Sequence, residues 1–96
     1  MITFVETIVI LGKLPIYQLS TLEETNLNSH GVKFRLEFVN DPSNPEGNTS
    51  VLISIWTDQA ALDAALADPV FVGMIANRQA YHDANGISMT TQRIDS

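Results

Sequence analysis

The sequence has 96 residues, with eleven acidic and five basic side chains and a formal net charge of −6. This length predicts a single domain over residues 1–96, and the few scattered bases argue against nucleic acid as a partner, because phosphate backbones are bound by clustered Lys and Arg. Hydrophobic residues make up 45% of the chain and charged residues 17%. That apolar surplus indicates association with a partner.

The chain has no cysteine, which excludes disulfides and thiol catalysis. Glu6 stands where a signal peptide would carry positive charge, and no apolar stretch reaches the ~20 residues of a membrane helix. Two histidines without a regular spacing predict no metal site, and the sequence has no phosphate-binding loop or dinucleotide fingerprint. We expect a soluble, cytoplasmic protein that does not bind a membrane.

The first half of the chain predicts strand, helix, strand. Residues 3–11 are β-branched and apolar on both faces, as in a strand buried on both sides. Residues 14–28 follow a helical stripe with Pro15 in its first turn, and Gly31 can cap the end. Residues 32–40 alternate strictly between apolar and charged side chains, which predicts a strand with one face in water.

The second half predicts a loop, a strand, two helices and a last strand. These elements are residues 41–49, 51–56, 59–67, 69–85 and 87–94. Thr57 or Asp58 can cap the first of the two helices. Asp68 and Pro69 suit the start of the second, as N-cap and first helical residue, and Gly86 suits its end. The strand at 51–56 is again apolar on both faces.

This element order is the split βαβ plan of ferredoxin-like α+β folds, with a four-stranded antiparallel sheet. The first and third strands lie at its centre in that plan, in agreement with their apolar character on both faces. The helices cover one face of the sheet. Nothing in the chain covers the other face, and large apolar patches rarely stay exposed, so we expect a homodimer with sheet packed on sheet.

The segment from Trp56 to Phe71 reads W-T-D-x-x-A-L-x-x-x-L-A-D-P-V-F, and the chain opens with MITFVETIVILGK. Both stretches resemble the antibiotic biosynthesis monooxygenase-like family of dimeric α+β barrel proteins. The resemblance implies cofactor-independent oxygenation of a small quinol- or phenol-like substrate bound between sheet and helices. The substrate anion would pass an electron to O₂, while the protein supplies a dry pocket and a proton acceptor.

Two branches of that family match less well. In the haem-degrading branch the catalytic Trp falls at Ala65 and the iron-ligating His at Ile75, so we do not expect haem degradation or another cofactor. The aromatic-polyketide branch uses an Asn, a Trp and an Arg. Only the Trp has a counterpart, Trp56, because Leu52 stands at the Asn position and Arg78 lies near the Arg position. A non-catalytic ligand-binding or assembly module and an isomerase-type proton transfer stay open as alternatives.

The resemblance and the helical stripe together suggest a set of site residues. The candidates for ligand binding are Glu6, Trp56, Phe71, Met74 and Tyr81, and the candidates for catalysis are Arg78 and His82. Each also has a structural interpretation. Trp56 is equally a core anchor, and the stripe ending in Arg78 and His82 is equally a helix running out into solvent.

Four of these side chains have roles that depend on where they point. At a pocket mouth, Arg78 would bind a phenolate or carboxylate and His82 would move a proton. Tyr81 would hydrogen-bond a carbonyl or cap the core. Glu6 is a candidate base if it points at the helices, and a partner for Lys33 or Arg35 if it points at a second subunit.

Overall fold

A computed structural model describes all residues from 1 to 96. Its elements are strand β1 (Ile2–Ile10), helix α1 (Thr21–Ser29), strand β2 (Lys33–Val39), strand β3 (Asn48–Trp56), helix α2 (Gln59–Leu66), helix α3 (Pro69–Asn85) and strand β4 (Ser88–Asp95). The strands form one antiparallel sheet in the order β2-β3-β1-β4. The predicted ferredoxin-like α+β fold is confirmed, with β1 and β3 at the centre of the sheet.

The strand register divides the sheet into two faces. Ile2 pairs with Trp56 and Phe4 with Ser54, so the even-numbered residues of β1 and β3 share one face, which we call the helix face. Ile2 and Trp56 pack there in a core cluster with side chains from all three helices. The buried members of that cluster are Ile2, Leu27, Val32, Trp56, Leu62, Ala65, Phe71 and Met74.

The odd-numbered residues of β1 and β3 form the opposite face, which we call the open face. Its apolar centre consists of Val5, Val9, Val51, Ile53 and Ile55, all only half-buried. None of them belongs to either core cluster, since every strand residue in those clusters lies on the helix face. An apolar, uncovered sheet face is therefore present, as the sequence predicted.

The edge strand β2 is exposed on both sides. The predicted alternation is present, because Phe34 and Leu36 pair with residues of the helix face while the charged residues between them point the other way. The apolar side is nevertheless in water: Phe34 is 46% exposed, Leu36 37% and Phe38 75%. The helices therefore leave much of the apolar side of β2 uncovered.

Helix α1 begins later than predicted. The expectation of a helix from residue 14, with Pro15 in its first turn, is wrong, because residues 14–20 form no regular structure and the helix starts at Thr21. Ser20 is its N-cap: the Ser20 hydroxyl accepts from the Glu23 amide, and the Glu23 carboxylate accepts from the Ser20 amide at 3.0 Å. This capping box satisfies amides that a helix start leaves free.

The Glu23 carboxylate also ties the preceding segment to α1. It is only 6% exposed and accepts the Tyr17 hydroxyl at 2.8 and 3.0 Å and the Asn77 amide at 3.2 Å. The Ser20 amide above all, then the Tyr17 and Asn77 donors, lower the pKa of Glu23. Tyr17 and Ser20 are thus fixed to helix α1 by hydrogen bonds to the Glu23 side chain.

The two later helices start at aspartate N-caps: Asp68 is the predicted cap of α3, and Asp58 is the one of the two candidates, Thr57 and Asp58, that caps α2. Asp58 accepts from the Ala61 amide at 2.9 Å and Asp68 from the Val70 amide at 2.9 Å. Asp68 also accepts from the Asn26 amide at 2.7 Å and lies 2.8 Å from His30 Nε2. The bond from Asn26, followed by those from His30 and the Val70 amide, lowers the pKa of Asp68. This cluster joins α1 to α3.

No single helix has the length and hydropathy needed to cross a membrane. Helices α2 and α3 meet those requirements only as a pair, and they are bent by 77° at the break between them.

The turn before β3 predicts a strong effect for one glycine substitution. A Cβ on Gly47 would overlap the carbonyl oxygen of Ile10 and approach the Asn44 side chain, whose amide already donates to Ile10 O at 3.2 Å. We expect Gly47→Ala to lower the free energy of unfolding by about 1–3 kcal/mol, the usual cost of overpacking. Urea denaturation measures this change.

The same substitution at Gly73 is the matched control. A Cβ there meets nothing within 4 Å, and the residue lies inside helix α3. Gly73→Ala should therefore stabilise the protein by roughly 0.5–1 kcal/mol, because alanine loses less backbone freedom on folding. Equal effects at both positions would contradict the close approach at Gly47.

Candidate functional site

A cavity of about 730 Å³ lies between the helix face of the sheet and the helices, and most of its lining side chains are apolar. The central strands supply its floor, including Phe4, Glu6 and Ser54, and the edge strand β4 adds Thr91. Because side chains alternate along a strand, the lining residues of β1 and β3 are all even-numbered ones on the helix face. A concave, mostly apolar site of this size with few polar groups is typical of small-molecule binding.

Six of the seven candidate residues line this one cavity. They are Glu6, Trp56, Phe71, Met74, Arg78 and His82. The strand residues come from β1 and β3, and the others come from successive turns of α3. The helical stripe therefore faces the sheet along its whole length, and it does not run out into solvent at Arg78 and His82.

Arg78 and Glu6 form a two-pronged ion pair inside the cavity. Arg78 Nη1 donates to Glu6 Oε1 at 3.1 Å and Nη2 donates to Oε2 at 2.8 Å. Only 18% of the Arg78 side chain and 12% of the Glu6 side chain are exposed. Glu6 thus points at the helices, so the alternative in which it pairs with Lys33 or Arg35 is wrong. Arg78 was expected to bind a phenolate or carboxylate of a ligand, whereas both of its terminal nitrogens bind the carboxylate of Glu6.

His82 lies one turn beyond Arg78 on α3 and is 2% exposed. Burial, and after it the positive charge of Arg78, lower the pKa of His82 below its ordinary value of 6.5. The imidazole is therefore neutral at pH 7 and has a ring nitrogen able to accept a proton. Burial and neighbouring charges set this pKa, with no contribution from a hydrogen bond.

An aromatic pair forms part of the apolar wall. Trp56 and Phe71 pack edge to face, with ring centroids 5.6 Å apart, and Trp56 is 3% exposed. Both belong to the main core cluster as well as to the cavity lining. The two interpretations of Trp56 are thus compatible, because its ring holds the core together and presents a surface to the cavity.

Tyr81 is the candidate that the structure places elsewhere. It is absent from the cavity lining, and its hydroxyl donates to the carbonyl oxygen of Pro15. Its ring lies 5.9 Å from that of Tyr17. Tyr81 is on the neighbouring stripe of α3, which faces residues 14–20, so its hydroxyl holds that segment and is not directed at a ligand in the cavity.

Several lining residues were not among the candidates. Phe4 lies two residues before Glu6 on β1 and shares its face, so the period of two in a strand could have identified it. Ile16 and Tyr17 also line the cavity. No sequence signal points to them, because residues 14–20 have no regular periodicity once the helix starts at Thr21. No group of three or more His, Asp or Glu side chains is placed to hold a metal ion.

No protein-family model and no curated protein matches the sequence, whereas several solved structures match the fold. A dimeric ferredoxin-like protein from an uncultured marine organism has 16% identity and a TM-score of 0.64, covering 97% of this chain and 92% of its own. SnoaB, a cofactor-independent oxygenase from Streptomyces nogalater, has 18% identity and a TM-score of 0.53, covering 99% and 91%. A Deinococcus radiodurans protein, provisionally assigned as an antibiotic biosynthesis monooxygenase, has 12% identity and a TM-score of 0.57, covering 100% and 92%. At these identities the matches confirm the resemblance at the level of fold.

Proposed function

We propose that this chain, which has the fold of antibiotic biosynthesis monooxygenase-like proteins, is a cofactor-independent monooxygenase of a small quinol- or phenol-like substrate. The observation that carries the proposal is the cavity of about 730 Å³, whose mostly apolar lining includes the Glu6–Arg78 ion pair and His82 one helical turn further along α3. An aromatic ring suits the apolar part of the lining, and a ring hydroxyl suits these polar groups. The likeness of fold to SnoaB supports the same class of reaction.

In the proposed reaction His82 is the base. The substrate hydroxyl gives its proton to a ring nitrogen of the neutral imidazole, and the resulting substrate anion passes an electron to O₂. The substrate radical and superoxide combine at a ring carbon that carries a hydrogen, and the proton held by His82 returns to give a hydroperoxide. Loss of that carbon-bound proton and cleavage of the O–O bond leave one oxygen on the ring as a carbonyl, and the other leaves as water with the two protons that the substrate has lost. All electrons come from the substrate, so no cofactor is needed. The apolar wall contributes by excluding bulk water from these intermediates.

Oxygen uptake tests the proposal directly. A panel of dihydroxy-aromatics with one to three rings is incubated with the protein in an oxygen-electrode cell, and the autoxidation rate without protein is subtracted. We expect enzyme-dependent uptake with at least one member, unchanged by a chelator, and incorporation of one ¹⁸O atom from ¹⁸O₂ into the product. No uptake with any member would contradict the monooxygenase reaction.

The same panel separates the two alternatives. Saturable binding without oxygen uptake or chemical change supports a non-catalytic ligand-binding module. Exchange of a substrate carbon-bound hydrogen with deuterated water, without oxygen uptake, supports isomerase-type proton transfer.

We further propose that the chain forms a homodimer through the open face. Apolar patches of this kind are rarely left in water, and one of the structures with this fold is dimeric. We expect light scattering to give the mass of a dimer. Ile53 lies at the centre of the open face, opposite Val5 on β1 and Arg35 on β2, so Ile53→Asp should yield a monomer because it buries a charge at the interface.

The control places the same new charge on an exposed position of α3. Val72 is 47% exposed, and we expect Val72→Asp to leave the dimer intact. A monomeric wild type, or an Ile53→Asp variant that stays dimeric, would contradict the assignment of the open face.

A further inference from the structure

The charged groups of the cavity cancel one another almost completely. Four charged side chains line it, and Glu6 and Arg78 are paired within it. Arg93 is held at 2.8 Å by Asp95. Glu24, exposed on α1, has no basic partner and adds one negative charge at the rim. His82 is neutral. The cavity therefore offers no uncompensated positive charge to a ligand.

The geometry of the ion pair decides what Arg78 can bind. A guanidinium with a free edge binds carboxylates, sulfonates and phosphates with two parallel hydrogen bonds. Here Glu6 takes the edge formed by the two terminal nitrogens and neutralises the charge of Arg78, so only the edge at Nε is left, and an anion bound there would meet no net positive charge. An anionic ligand would have to displace the Glu6 carboxylate or lie next to it, and both are unfavourable because the side chains of this pair are only 18% and 12% exposed. A hydroxyl or carbonyl group of a ligand can bind without displacing Glu6 and without placing a second negative charge beside it, since the Glu6–Arg78 pair keeps unused acceptor and donor positions.

We infer that Glu6 sets the charge preference of the cavity, so that it accepts uncharged hydroxylated aromatic molecules and rejects aromatic carboxylates, sulfonates and phosphates. This inference rests on the proposed function for the use of the cavity as a ligand site, but it does not depend on catalysis. Glu6 acts through Arg78: it neutralises the more buried of the two arginines that line the cavity, while Arg93 is paired with Asp95.

Two fluorescent probes with a common skeleton test the inference. N-phenyl-1-naphthylamine is uncharged, and 8-anilino-1-naphthalenesulfonate carries one sulfonate on the same pair of aromatic groups. Dissociation constants are measured for both with the full chain at constant salt. The variant Thr91→Trp identifies probe that is bound outside the cavity, because its new side chain fills part of the cavity floor. The fluorescence that remains in this variant is subtracted from that of the other proteins.

Wild type should bind the uncharged probe at least about tenfold more tightly, since one unfavourable charge contact of about 1.4 kcal/mol is a factor of ten. Glu6→Gln keeps the shape and one hydrogen bond but frees the charge of Arg78, so the affinity ratio should shift at least about tenfold toward the sulfonate. Glu6→Gln combined with Arg78→Gln removes both charges and should return the ratio to within about threefold of wild type. Glu46→Gln, an exposed carboxylate outside the cavity, should leave it unchanged.

Several outcomes would overturn the inference. One is a wild type that prefers the sulfonate, and another is an affinity ratio that Glu6→Gln does not move while thermal melting shows the variant folded. If the uncharged probe does not bind in the cavity at all, both the inference and the ligand site of the proposed function are contradicted. If the probes show the expected charge preference but no substrate supports oxygen uptake, the inference holds and only the monooxygenase reaction is contradicted.

Discussion

Replacing His82 with alanine is expected to lower the rate of oxygen uptake by roughly 10²–10⁴-fold, the contribution typical of a positioned general base. His82 is the only neutral base among the cavity residues at pH 7, because burial and the charge of Arg78 keep the pKa of its imidazole low. The substrate would still enter the cavity. We therefore expect the dissociation constant of a bound dihydroxy-aromatic to change far less than the rate.

The matched control for His82→Ala is Gln79→Ala on the same helix. Gln79 is exposed, and its amide bonds Asp83 at 2.8 Å on the outer side of α3. This variant should keep the wild-type rate. Added imidazole should partly restore the rate of His82→Ala, which loss of packing alone would not permit. Full activity of a folded His82→Ala protein would show that another group takes the proton.

The pH dependence follows from the same base. Only neutral imidazole accepts a proton, so the rate is highest above the pKa of His82 and falls as the pH drops through it. Because the pKa of His82 lies below the ordinary value of 6.5, the acid limb of the rate profile should lie below pH 6.5. The profile of kcat/KM reports this pKa in the free enzyme.

Trp56→Ala is expected to lower the free energy of unfolding by about 3–5 kcal/mol, the range for removing a buried large aromatic side chain. Trp56 is 3% exposed and joins the end of β3 to residues of all three helices in the core. Its loss also removes the edge-to-face contact with Phe71 at 5.6 Å. Trp56→Phe should cost clearly less, because it keeps most of the apolar surface in place.

Chemical denaturation measures this effect at one fixed protein concentration, since association would otherwise shift the apparent stability. Leu22→Ala is the control. Leu22 is a large apolar residue on α1 that is 66% exposed, and its truncation should change the stability by less than about 0.5 kcal/mol. A cost below 1 kcal/mol for Trp56→Ala would contradict its place in the core.

The sheet and its strand order could be predicted because they depend on periodicity. Strands apolar on both faces belong at the centre, and the alternating charges of residues 33–37 mark an edge. The predicted start of α1 was wrong for a local reason. The approximate stripe through Ile16 and Leu19 outweighed Ser20 and Glu23, whose S-x-x-E spacing is the capping-box signature, so the correct start was readable from the sequence.

The site could be predicted only in part, because its geometry depends on contacts between distant parts of the chain. The stripe on α3 correctly grouped Phe71, Met74, Arg78 and His82. The pairing of Arg78 with Glu6 joins a helix to the first strand, and no sequence spacing encodes that distance. It changes the chemistry of the site, since it turns an apparent anion-binding arginine into half of a neutral pair. The direction of Tyr81 likewise depends on where residues 14–20 lie.

The central place of β1 in the sheet has a consequence for how the molecule reaches its native state. β1 is the first strand along the chain, yet its neighbours are β3 and β4, with Ile2 opposite both Trp56 and Asp95. Only β2 and β3 can form a hairpin early. Contacts so remote in sequence slow folding, since the loop-closure entropy is lost before the pairing is gained. During synthesis on the ribosome, β1 therefore stays without its β4 neighbour until residues 88–95 have emerged, and its apolar side chains stay unpaired on that side for as long.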